Sequence, residues 1–83
     1  MRRSRLLKRL VEGNLRNVSF ADLLDLAQGF GFRLQHVSGS HRILTHPALP
    51  ELLNLQEVRG EAKPYQIRQL LRTVERYDLR LED

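Results

Sequence analysis

Apolar residues recur at helical spacing towards both ends of this chain and alternate with polar ones between them. That change of period restricts the fold to a mixed one, with helices and a sheet sharing one core. Leu6, Leu7, Leu10 and Val11 mark the first stripe, and Gly13-Asn14 ends it. Ser19 stands where an N-cap belongs, with Asp22 three residues on, and Phe20, Leu23, Leu24 and Ala27 form the second stripe. Gly29 is read as the left-handed residue that closes this helix, with Phe30 packing back across it. Pro64 suits a first helical position, and Ile67, Leu70, Leu71, Val74 and Tyr77 make the third and most regular stripe.

Between the second and third helices lie the strands. Phe32–Val37 and His41–Thr45 read as a β-hairpin, and two prolines in His46-Pro47-Ala48-Leu49-Pro50 mark a loop. Leu53 and Leu55 alternate with Asn54 and Gln56 as a third strand, and Arg59–Lys63 reads as a loop. The resulting fold class is α+β: a three-stranded antiparallel sheet with helices on one face, preceded by an extra N-terminal helix. The core order α-β-β-β-α is that of double-stranded RNA-binding domains, although topology alone carries no function.

Composition bounds what such a chain does. Its 83 residues fit one domain, 1–83, with residues 1–18 as a basic amphipathic helix and link and 19–83 as the core. A deep enclosed pocket is not expected at this size. With no cysteine there is neither a disulfide framework nor a thiolate zinc site. Fourteen basic residues against ten acidic ones give a net charge of +4, and twelve of the fourteen are arginine, whose planar fork suits phosphate. The expected partner is a polyanion, RNA before a membrane. The basic N-terminal stretch lacks the apolar run of a secretory signal, and no segment approaches the roughly 18 apolar residues of a membrane span. A soluble, cytoplasmic protein is expected.

Gly39-Ser40-His41, at the tip of the hairpin, is the candidate chemical centre, since it offers an exposed imidazole after a small flexible turn. If Ser38-Gly39 is the two-residue turn, His36 lies opposite His41 and becomes a candidate second acid or base; a longer turn puts the two rings on opposite faces. His46, beside Pro47, reads as a loop residue. The recurrence of histidine every five positions matches no metal-binding pattern, so neither a metal nor another cofactor is expected.

Gly29-Phe30-Gly31-Phe32, the strand entering Gly39-Ser40-His41-Arg42-Ile43, His46-Pro47 and the basic-apolar helix from Pro64 to Leu79 together resemble the HicA toxin family. These are small mRNA interferases of type II toxin-antitoxin systems on a double-stranded RNA-binding-like fold. The resemblance runs from about Ser19 to Leu81, by the extent of the helix and strand pattern. It implies that His41 is the residue needed for RNA cleavage, that Gly39 and Ser40 shape its turn, and that a HicB-type antitoxin neutralises the protein. Arg42 occupies a position that is often basic or histidine in the family. The third strand Leu53-Asn54-Leu55-Gln56-Glu57 departs from the family pattern, lacking its histidine and adding an acidic residue.

The chemistry is consistent with these residues. Metal-free RNA cleavage needs a base for the 2′-hydroxyl, an acid for the leaving 5′-oxygen and positive charge around the phosphorus. Histidine serves either of the first two near neutral pH. Arg42, with Lys63 or Arg68, supplies candidate charge, and Arg68, Arg72 and Arg76 form a cationic stripe at i, i+4 and i+8. Phe20, Phe30 and Phe32 fit the core, which leaves few rings for base stacking and favours contacts to backbone and shape. The competing reading is a non-catalytic RNA-binding or protein-interaction module on the same fold, in which the arginines matter and His41 does not.

Overall fold

A computed structural model describes residues 2–82; Met1 and Asp83, the ends of the expected 1–83 domain, lie outside the described residues. The elements are α1 (Arg3–Val11), α2 (Phe20–Gly29), β1 (Arg33–Ser38), β2 (His41–Thr45), β3 (Leu53–Val58), β4 (Glu61–Ala62) and α3 (Pro64–Arg76). The class is α+β, with an open antiparallel sheet in the order β1-β2-β3-β4.

Each helix begins and ends for a local reason. Ser19 caps α2, its hydroxyl accepting the Asp22 N–H at 3.0 Å. Pro64 occupies the start of α3, where a missing N–H costs nothing. The left-handed position after α2 is Gly31, at φ 99°, and not Gly29. Gly29 is the last residue of the helix, and its lack of a side chain serves packing. A Cβ there would stand 2.7 Å from Arg3 Cδ, 2.8 Å from Leu81 Cδ1 and 3.0 Å from the Glu82 carbonyl oxygen. The C-terminal segment crosses at this point, Glu82 N–H bonding Gly29 O at 2.8 Å.

One apolar core joins all the layers. Leu6 and Leu10 of α1, Leu23, Leu26 and Ala27 of α2, Leu44, Leu53 and Leu55 of the sheet, and Ile67 and Leu70 of α3 are buried together with Phe20, Phe30 and Phe32. Each of the large side chains contributes about 1.5–3 kcal/mol by leaving water. On α3 the buried face is turned slightly from the expected stripe, so that Gln66 and Thr73 are buried and Leu71 and Val74 only partly so. Val11 remains 69% exposed.

The sheet has four strands where three were expected. Arg59 and Gly60, at φ 53° and 76°, form a tight turn with both central residues left-handed, and Glu61-Ala62 then pairs back on Glu57 and Val58. Two residues are too few to show a period, so this strand reads as loop in the sequence. Its far side is not open: Phe20 N–H bonds Gly60 O and Ala62 N–H bonds Val18 O, both at 2.9 Å. At the other edge, β1 is exposed along its whole length and, among the described residues, pairs only with β2.

Candidate functional site

Strand alternation divides the site residues between two faces. Leu44, Leu53 and Leu55 point to the helices, so His41, Ile43, Asn54 and Gln56 point to the open face. The hairpin turn is Gly39-Ser40, one residue later than a Ser38-Gly39 turn, and Gly39 takes φ 58°. Ser38 therefore pairs with His41, and His36 pairs with Ile43 after a bulge at Gln35. His36 shares the open face with His41 but is its diagonal neighbour, at a Cβ separation of roughly 7–8 Å and not the closer spacing of a direct pair.

Among the described residues, His41 is held on one side only. Its Nδ1 lies 3.1 Å from Asn54 Oδ1, and the residue is otherwise exposed. With Oδ1 accepting, Nδ1 carries the proton and Nε2 is left as the basic nitrogen facing solvent. An orienting partner on one ring nitrogen and a free second nitrogen is the arrangement that general acid-base work requires. Asn54 was not among the candidates read from the sequence. The alternation with Leu53 and Leu55 already assigns it to the polar face, but its place beside His41 depends on the β2–β3 register.

Arg42 is turned away from His41, as the next residue on a strand must be. Its guanidinium lies 5.7 Å from the centre of the Phe20 ring, is 3.4 Å from Glu57 Oε1 and donates to Gly39 O at 3.0 Å. Glu57 thus faces the helix side and balances Arg42, so its charge does not stand on the His41 face.

The remaining candidates are spread along α3. Lys63 is its N-cap residue and is exposed. Arg68 and Arg72 are exposed, with no hydrogen-bond or ion-pair partner among the described residues. Arg76 pairs with Glu51 at 3.3 Å, and Tyr77 donates to the same carboxylate oxygen at 3.2 Å. Gln66, near the start of α3, bonds Gln56, and Arg76 reaches Glu51 before β3, so the helix runs antiparallel to that strand. The stripe begins near the His41 end of the sheet and leads away from it over about 12 Å, at 1.5 Å per residue.

His46 has a structural task. Its Nδ1 accepts the Ala48 N–H at 3.0 Å, which leaves Nε2 to donate to Phe30 O at 3.0 Å, and its ring meets Phe32 edge-on. Among the described residues no group of three His, Asp or Glu side chains converges as metal ligands, and no helix is long and apolar enough to cross a membrane. No family model matches the chain, and no curated protein or solved structure shows significant similarity to it.

Proposed function

We propose that this protein is a metal-independent endoribonuclease of the HicA kind, acting in the cytoplasm on mRNA from a double-stranded RNA-binding-like fold. The observation that carries the proposal is the 3.1 Å contact between His41 Nδ1 and Asn54 Oδ1 on an uncovered sheet face, which leaves Nε2 free for a proton. In the reaction, Nε2 takes the proton of a ribose 2′-hydroxyl and the 2′-oxygen attacks the adjacent phosphorus. The bond from phosphorus to O5′ breaks, giving a 2′,3′-cyclic phosphate and a 5′-hydroxyl once O5′ is protonated.

The other residues have graded roles. Gly39 gives the turn its positive φ, and Ser40 completes it. Lys63 provides charge on the open face, and Arg68 and Arg72 extend the basic surface along α3. Arg76 and Arg42 contribute less, because each already faces a carboxylate. His36, on the same face as His41, is the candidate for protonating O5′. A HicB-type antitoxin would inhibit by covering His41, which is exposed among the described residues.

The deciding experiment incubates purified protein with a long single-stranded RNA, with and without EDTA, beside a folded His41→Ala variant. Cleavage that persists in EDTA and vanishes in the variant is the expected result. Equal cutting by the variant, or a mobility shift without product, overturns the assignment; the latter outcome selects the non-catalytic binding module.

A further inference from the structure

Two antiparallel registers meet in β3, and together they align residues far apart in sequence. Ser38 pairs with His41, and His41 with Gln56. On the other side of β3, Val58 pairs with Glu61 and Glu57 with Ala62. The ladder ends there: Lys63, the next residue, is still extended at φ −74° and ψ 148°, but its carbonyl turns into α3 and accepts the Gln66 and Ile67 N–H groups. Ala62 is buried, so alternation directs Lys63 to the same open face as His41. Ser38, His41 and Gln56 thus form one row across the sheet, perpendicular to the strands, and Lys63 follows β4 on the far side of Gln56. With strands about 4.8 Å apart, the line of β4, which Lys63 follows, runs about 10 Å from β2 with Gln56 between them.

Gln56 is fixed by its backbone. Its N–H is taken by Gln66 Oε1 at 2.7 Å, while its side-chain amide has no partner among the described residues. That amide offers two donors and an acceptor about 5 Å, Cβ to Cβ, from His41. Beside the row, towards the β3–β4 turn, Val58, Arg59, Glu61 and Lys63 line a cleft of about 450 Å³ with two cations and one anion.

We propose that single-stranded RNA crosses the open sheet face along this row. The scissile phosphate sits at His41, the adjoining nucleotide lies over Gln56, and the next phosphate is held by Lys63 at the mouth of the Arg59 cleft. The direction of the track rests on the nuclease reading for its register, but binding along the row can be read separately. An unpaired strand is the form that fits, because Gln56 must reach a base edge or a ribose hydroxyl that a duplex keeps stacked or distant. On this track the RNA leaves His41 across β3, and not down the arginine stripe of α3.

The test has two arms. In the first, kcat/KM is measured on a short single-stranded oligoribonucleotide and on the same sequence annealed to its complement. Wild type is expected to cut the single strand alone, and Lys63→Gln and Gln56→Ala to lose about 10-fold each, with thermal melts confirming that the variants fold. Equal cutting of the duplex, or no loss in Lys63→Gln, overturns the proposal. In the second, a single-stranded oligonucleotide with 2′-deoxy sugars, which cannot be cleaved, is titrated by fluorescence anisotropy at several salt concentrations. Lys63→Gln is expected to lower the salt slope by about 1, as the loss of one phosphate contact should. An unchanged slope in Lys63→Gln, together with a lowered one in the Arg68→Ala/Arg72→Ala variant, places the strand on α3. If wild type cuts nothing yet Lys63→Gln still lowers the slope, the nuclease reading fails and the binding track stands.

Discussion

Gln66 Oε1 accepts the backbone N–H of Gln56 at 2.7 Å, so a side chain of α3 makes the bond that β4 is too short to make. Gln66 is itself buried, and replacing it by leucine leaves the Gln56 N–H without an acceptor. The expected cost is about 1–3 kcal/mol, read as a lower urea midpoint at unchanged m. Gln66→Glu keeps an acceptor at the same reach and should lose less; equal losses in the two variants would argue against this bond.

Gly29→Ala should lower stability, against the usual sign. In an ordinary helix position this change gains up to about 1 kcal/mol. Here the new methyl meets Arg3, Leu81 and the Glu82 backbone, and the crossing C-terminal segment must move. A lower melting temperature is expected, and a higher one would mean that this segment does not rest on α2.

The acid side of the stability profile should carry the mark of Asp25. Hydrogen bonds from the Arg3 guanidinium, at 2.9 and 3.2 Å, and its charge hold the carboxyl below its ordinary 3.8. A carboxyl with a lowered folded value stabilises above its unfolded value and loses that contribution as pH falls through the folded one. Stability should therefore decline below about pH 4 in wild type, and that part of the decline should be absent in Asp25→Asn. The pair is partly exposed, so the difference should shrink in 1 M salt.

Asn54→Ala should slow RNA cleavage on the order of 10- to 100-fold by freeing the His41 ring, and act on kcat more than on KM. Asn54→Asp retains an acceptor for Nδ1 and should recover part of the rate. A melt unchanged in both variants separates this positioning effect from a loss of fold. No rescue by aspartate would indicate that Asn54 does not set the ring.

Local chemistry made much of the fold legible. Ser19 with Asp22, Pro64, and the alternation of Leu53 and Leu55 each announce their element through a bond or a period confined to a few residues. What could not be read depended on distant parts of the chain. Gly29 and Gly31 flank the same phenylalanine, and only the distant neighbours separate their tasks: Gly29 lies under Arg3, Leu81 and Glu82, whereas Gly31 takes the left-handed φ against His46. β4 exists through the bond from Ala62 to Val18, and through that from Phe20 to Gly60 just before it, as much as through its own two residues. For the candidate site, His41 was visible as a residue type beside a turn. Asn54 and the displacement of His36 follow from registers that shift every partner when the turn moves by one residue.

The two edges of the sheet differ, and this limits how copies of the protein can join. One edge is occupied by Val18–Phe20, while β1 presents unpaired backbone groups with Leu34 and Val37 40% and 50% exposed. A second copy adding to β1 through its own β1 would use up the free edge of both molecules. Strand addition then stops at a pair, and the sheet has no second open side from which a fibre could grow.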